Sequence, residues 1–171
     1  MTFEEKVDTC DVLMVEDRTT IGRLIRGLTG QQVNHIAMVE KGPKTTWVIE
    51  MTMKDNFSAT PLKRWLQRQD RTKAYLYWGK APQPIRGGCA GLTEQLFDLR
   101  RNPPQYSLWT LITVWWAQIT RKHVAHKYVC STLVHVAWEA CGYEFDQTPD
   151  PGDFMRHCVS VAEIEESDLW T

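Results

Sequence analysis

The chain has 171 residues, of which 43% are hydrophobic and eight are tryptophan, enough apolar surface for a core and too much for an intrinsically disordered segment. Lys and Arg number 20 against 21 Asp and Glu, a net charge of −1 that argues against a dominant nucleic-acid-binding surface. The five cysteines (10, 89, 130, 141 and 158) are odd in number and contain no Cys-x-x-Cys pair, so a disulfide framework or zinc knuckle is not expected and reduced thiols in a cytosol-like compartment are.

The first ten residues, MTFEEKVDTC, are acidic and lack the apolar stretch of a secretory signal, so synthesis in the cytoplasm is the expectation. DVLMVE (11–16) reads as a buried strand. TTIGRLIRGLTG (19–30) reads as a short helix with a Thr near its start and Gly30 just past its end. VNHIAMVE (33–40) and TTWVIEMT (45–52) read as strands joined by the turn signal KGPK. PLKRWLQRQD (61–70) reads as a helix, with the basic run Lys63–Arg71 as its solvated face, and KAYLYWG (73–79) as a further strand.

Residues 81–91 form a loop, and helices are predicted at about 92–101, 106–121 and 129–141. The apolar run at 108–119 is too short to cross a bilayer and reads as a buried helix. TPDPGDF (148–154) is a turn. With no repeat and no composition break, the expectation is one domain over 1–171. Its class is α+β: a small antiparallel sheet packed against later helices.

Two places carry chemistry. A symmetric loop centred between Gly42 and Pro43 pairs Glu40 with Thr45 and sets His35 directly opposite Glu50. Alternation then puts Val33, His35, Ala37 and Val39 on one face with Thr46, Val48, Glu50 and Thr52, while Ile36, Met38, Trp47, Ile49 and Met51 form an apolar core face. A carboxylate beside an imidazole fixes its tautomer and stabilises the imidazolium. The plainer reading is a polar cross-strand pair at a sheet surface.

The second place is KYVCSTLVHVAWEACG (127–142). Val129, Leu133, Val136, Ala137 and Ala140 recur at helical spacing, and Gly142 is placed to end the helix. Cys130 then falls in the first turn, where the macrodipole favours thiolate and free N–H groups can hold an oxyanion. Cys10, Cys89, Cys141 and Cys158 read as small buried hydrophobes. His135 lies too far round the helix to serve Cys130. His123 and His126 precede the helix and are in principle able to reach Cys130; their His-x-x-His spacing has no second ligand pair, so no metal is expected.

The segments DVLMVEDRTTIGRLIRGLTGQQVNHIAMVE, WVIEMT, YVCSTLVHVAWEACG and TPDPGDF, in that order, resemble the circularly permuted NlpC/P60 group of papain-like thiol hydrolases. That group includes YiiX-like bacterial proteins and, more distantly, lecithin:retinol acyltransferase-like proteins. Its His precedes its Cys, as His35 precedes Cys130 here. The resemblance implies a permuted papain-like fold, Cys130 as nucleophile, His35 as base and Glu50 as the third polar group. Asn34 and Ser131 take the oxyanion and substrate-binding positions, and no cofactor is implied. Cys10 stands where the family has Gly, Asn34 where it has Ser, and Thr132 where Glu is frequent in bacterial members.

The function so implied is a cysteine hydrolase that cleaves an amide through a thioacyl intermediate, with a cell-wall peptide as candidate substrate. Without an export signal, a phage-encoded product carried with a virion or released by lysis also fits. One alternative is lipid acyl hydrolysis or transfer by the same triad, in a groove lined by Trp109, Trp115 and Trp116. Another is a non-catalytic binding or virion module. Nucleic acid is not an expected partner, and nothing in the sequence sets an oligomeric state.

Overall fold

A computed structural model describes residues 2–52, 56–102 and 130–169. The most apolar strand of the sequence, β1 (Val12–Asp17), is buried along five of its six residues, which suits a strand covered on both faces. It lies inside a six-stranded sheet of order β4-β3-β2-β1-β5-β6 in which every neighbouring pair is antiparallel. The other strands are β2 (His35–Lys41), β3 (Thr46–Thr52), β4 (Asn56–Pro61), β5 (Ala74–Lys80) and β6 (Ser160–Glu163). The helices are α1 (Phe3–Lys6), α2 (Thr20–Thr29), α3 (Leu62–Gln67), α4 (Ala90–Arg101), α5 (Cys130–Ala140) and α6 (Phe154–His157), and a 3-10 turn follows at Glu166–Leu169. The fold is α+β, as the sequence predicts.

Local chemistry explains the boundaries. The Thr19 side chain accepts the Gly22 N–H at the start of α2, and Gly30 ends that helix at φ 69°, a left-handed conformation that glycine adopts without strain. β4 and β6 escape the sequence reading because NFSATP and SVAE carry little β-branched or aromatic signal. Both are edge strands, where a terminal proline such as Pro61 is tolerated. The predicted helix at 106–121, with Trp109, Trp115 and Trp116, and the residues His123 and His126 lie outside the described residues.

The hairpin differs from prediction by two residues. Lys41 pairs with Thr46 and Met38 with Ile49, so by extension Glu50 lies opposite Ala37. Gly42 N–H donates to Thr45 O, which puts Pro43 and Lys44 at the tip. Proline's fixed φ suits the second position of such a turn and not the third, which is where a centre between Gly42 and Pro43 would have put it. An even shift leaves every side chain on its predicted face, so His35 and Glu50 become diagonal neighbours.

The sheet has a core on each side. On one, Val12, Met14, Ile36, Met38, Ile49 and Met51 meet α4, α5 and Phe154; on the other, Leu13, Val15, Ala37, Val39 and Val48 meet α1 and α3. α5 buries Cys130, Leu133, Val134, Ala137 and Trp138, a face rotated from the predicted one, leaving Val136 half-buried and Ala140 exposed. The wide Trp138 indole sets that rotation. It is fully buried, and its Nε1–H donates to Cys10 O at 3.0 Å. Cys10 itself has φ 72°, a left-handed backbone uncommon for a residue with a side chain.

The cysteines correct the sequence reading. Cys89, at the N-cap of α4, forms a disulfide with Cys141, just past the end of α5. The two are 52 positions apart, and only the antiparallel packing of α4 on α5 brings them together, so their spacing gave no sign of it. Gly91 permits that approach, since a Cβ there would lie 2.7 Å from Ala140 O. Cys10, Cys130 and Cys158 remain free thiols.

Asp11 ties the start of β1 to three other segments. Fully buried, it accepts hydrogen bonds from Asp8 N at 3.0 Å, Trp78 Nε1 at 2.9 Å, Ala81 N at 2.9 Å and Arg86 Nε at 3.1 Å. Asp11→Ala strands these donors and leaves the largely buried Arg86 charge with only the half-exposed Asp8 at 3.8 Å. We expect it to cost about 3–5 kcal/mol in chemical denaturation. Cys141→Ser opens a loop closed across 52 positions and is expected to cost about 4 kcal/mol under non-reducing conditions, against no further loss when the wild type is first reduced.

Candidate active site

Three elements deliver one side chain each to the same end of the sheet. His35 is the first residue of β2, Glu50 lies within β3, and Cys130 opens α5. Because His35 begins its strand, its ring stands at the sheet's end, where a group from the opposite layer can reach it. Cys130 does so from the α5 layer, while Glu50 belongs to the face covered by α3.

Asn34 fixes where β2 starts. Its N–H donates to Val15 O at 3.1 Å, and its Oδ1 accepts Asp17 N–H at 2.8 Å. The Asn34 amide also packs on Gly22, where an added Cβ would lie 2.9 Å from Nδ2. The Asn34 Oδ1 thus ties the β1–α2 turn one residue from His35, and its Nδ2–H groups are the donors an oxyanion would need. Ser131 is buried in the first turn of α5. His135 pairs with Glu139 at 3.1 Å and stacks edge-on against Phe145.

His35 Nε2 lies 2.8 Å from Glu50 Oε2, and the Cys130 side chain is close enough to the same ring to influence its charge. With Nε2 taken by the carboxylate, Nδ1 is the nitrogen left for the thiol. The His35 side chain keeps 26% of its surface exposed, whereas Glu50 keeps 5%. Burial, the largest influence on His35, opposes its charge, but hydrogen bonds and charge interactions with Cys130 and Glu50 outweigh it and raise its pKa to about 10. Burial likewise pushes the Glu50 carboxyl up, and the His35 hydrogen bond and charge pull it below its ordinary value, helped by Arg68. The arrangement therefore favours an imidazolium held between a carboxylate and a sulfur. A thiol so placed can yield its proton to the ring and attack an electrophilic carbon.

Arg68 was not singled out in the sequence, where it belongs to the solvated face of a helix. Its Nη2 lies 4.0 Å from Glu50 Oε1, on a side chain 47% exposed. A basic residue one turn beyond a buried tryptophan, Trp65, was the only available sign. Among the described residues no three His, Cys, Asp or Glu side chains gather as a metal site, and no helix is long and apolar enough to cross a membrane.

No protein-family profile matches the chain, and no curated protein matches it. Among solved structures, it is similar to the crystal structure of the metalloprotein YiiX from Escherichia coli O157:H7. That similarity has a TM-score of 0.47 and 17% identity, over 93% of this chain and 97% of that one.

The pair makes stability depend on pH in both directions. His35 has a raised pKa, so its contribution is complete below the unfolded value of about 6.5 and is lost as pH climbs toward 10. Glu50 has a lowered pKa, so its contribution is complete above the ordinary carboxyl value and is lost as pH falls below it. Glu50→Gln should move the His35 titration, read by NMR of the ring protons, down from about 10 toward 6.5. The variant's unfolding free energy should then fall less than the wild type's between pH 7 and 10.

Proposed function

We propose that this protein is a cysteine hydrolase that cleaves an amide through a thioacyl intermediate, with Cys130 as nucleophile, His35 as acid and base, and Glu50 as the group that orients His35. One observation carries the reading: the Cys130 side chain and the Glu50 carboxylate are neighbours of the same imidazole. In this scheme the Cys130 sulfur, its proton already held by His35, attacks the carbonyl carbon. The oxyanion is met by first-turn N–H groups of α5, Ser131 among them. The C–N bond then breaks, and His35 delivers the proton to the leaving amine. Water, deprotonated by His35, cleaves the thioester and restores the thiol.

The substrate class in this reading is a peptide, with a cell-wall peptide as the candidate. The tryptophans invoked for a lipid groove lie outside the described residues, so nothing in the described site favours an acylated lipid over an amide.

The test begins with Cys130 itself. Iodoacetamide should label it faster than Cys10 or Cys158, and His35→Ala should slow that labelling at neutral pH. With muropeptides and model peptides, the wild type should accumulate a thioester adduct on Cys130 detectable by mass spectrometry. Turnover should vanish in Cys130→Ala and drop about 10²–10⁴-fold in His35→Ala. A Cys130 alkylation profile like that of a free thiol, unchanged by His35→Ala, would sink the proposal.

A further inference from the structure

Glu16 lies at the same end of the sheet as His35. Val15 pairs with His35, so Glu16 is one residue farther along the neighbouring strand. Alternation puts it on the face of Val12 and Met14, which share a core with Cys130. Its strand partner on that face is Tyr75. Glu16 is therefore beside the thiol–imidazole pair, on the β1–β5 side, while α5 crosses β2 and β3.

Glu16 is buried, and its hydrogen-bonding capacity is filled. Oε1 accepts from Arg26 Nη1 at 2.6 Å and Arg18 Nε at 3.3 Å; Oε2 accepts from Tyr77 OH at 3.2 Å and Gln32 Nε2 at 3.4 Å. A carboxylate has about four acceptor positions, so no ligand donor can be added. Burial pushes the Glu16 carboxyl up, and these hydrogen bonds with the Arg26 charge bring it below its ordinary value. Two guanidinium groups against one carboxylate leave one positive charge. What remains to be offered is donors: Arg26 Nε is buried without a hydrogen-bond partner among the described residues, and the Arg18 guanidinium, 45% exposed, lies 3.9 Å over the Tyr75 ring. The nearby Asp17 carboxylate accepts the N–H and Oγ1–H of Thr19, one at each oxygen.

We propose that Arg18 and Arg26, set in place by Glu16, form a subsite for a carboxylate of the substrate. The binding chemistry stands on the cluster alone, whereas its role as a specificity site rests on the hydrolase reading above. A planar guanidinium matches a carboxylate through paired N–H donors, and stacking on Tyr75 holds the Arg18 fork ready without cost to its hydrogen bonds. The substrate class is then a short peptide with a free carboxylate, terminal or on a side chain, near the scissile amide.

Two measurements test this. The first is calorimetric titration of Cys130→Ala protein with the tripeptide Ala-Gly-Ala, its C-terminal amide, and glycerol 3-phosphate. The free carboxylate should bind at least tenfold more tightly than the amide. That preference should disappear in Arg18→Gln, a half-exposed position that the fold tolerates, and in the double variant Glu16→Gln/Arg26→Gln, which leaves no buried charge unpaired. Equal binding of acid and amide, or preference for the phosphate ester, overturns the carboxylate assignment. The second is the rate at which bromoacetyl-Gly-Ala and its amide alkylate Cys130 in the wild type. Faster reaction of the acid, erased by Arg18→Gln, supports a subsite beside the thiol; equal rates overturn that placement. A carboxylate preference in binding with a Cys130 inert to both reagents would uphold the subsite and remove the hydrolase reading.

Discussion

The position of one helix governs the site. α5 must present Cys130 to a ring rooted in a strand almost a hundred residues earlier. Two attachments fix it. Near its end, Trp138 donates a hydrogen bond to Cys10 O and fills the core between the sheet and Phe154. Just beyond, Cys141 is bonded to Cys89 on α4. Cys10 can offer its carbonyl there because its backbone is left-handed, and Asp11, the next residue, knots β1 to Trp78, Ala81 and Arg86. Anchoring of α5 and anchoring of β1 thus share two adjacent residues.

The sheet's end supplies the opposing group. A histidine in mid-strand would be confined to one face, but at the first position of β2 the His35 ring meets Glu50 from the α3 side and Cys130 from the α5 side. Half-burial sharpens the effect. Glu50 is shielded enough for its charge to act strongly on the ring, while His35 retains the exposure a reacting group needs. Arg68, at 4.0 Å and half-exposed, adds a weaker charge behind the carboxylate.

Much of this was legible in the sequence because it follows from short-range rules. Alternation put His35 and Glu50 on one face, and an error of two residues in register could not undo that. The error came from where Pro43 sits in the turn, a preference that a loop chosen for symmetry ignored. Helical spacing and Gly142 placed the end of α5 to within a residue. What could not be read depends on packing between distant segments: the Cys89–Cys141 bond, the rotation of α5 imposed by Trp138, and the use of Asn34 as a tie for the β1–α2 turn. β4 and β6 failed for another reason, since edge strands take their order from a neighbour's hydrogen bonds and need little propensity of their own.

The disulfide also sharpens the case of the remaining thiols. A disulfide in the same chain invites exchange with any free thiolate, and the attacking species must be ionised. Burial, with the charges of Asp11 and Asp8, pushes Cys10 up to about 12, and burial with Asp11 pushes Cys158 to about 12 as well. Neither supplies thiolate at neutral pH, and Cys10 is wholly enclosed. Cys130 has a different neighbour, an imidazole able to take its proton, and it sits at the opposite end of α5 from Cys141. The eleven-residue helix that carries it therefore also keeps it about 15 Å from the bond it would otherwise attack. Separating the two sulfur chemistries by the length of one helix lets a reactive thiol and a structural disulfide coexist on the same element.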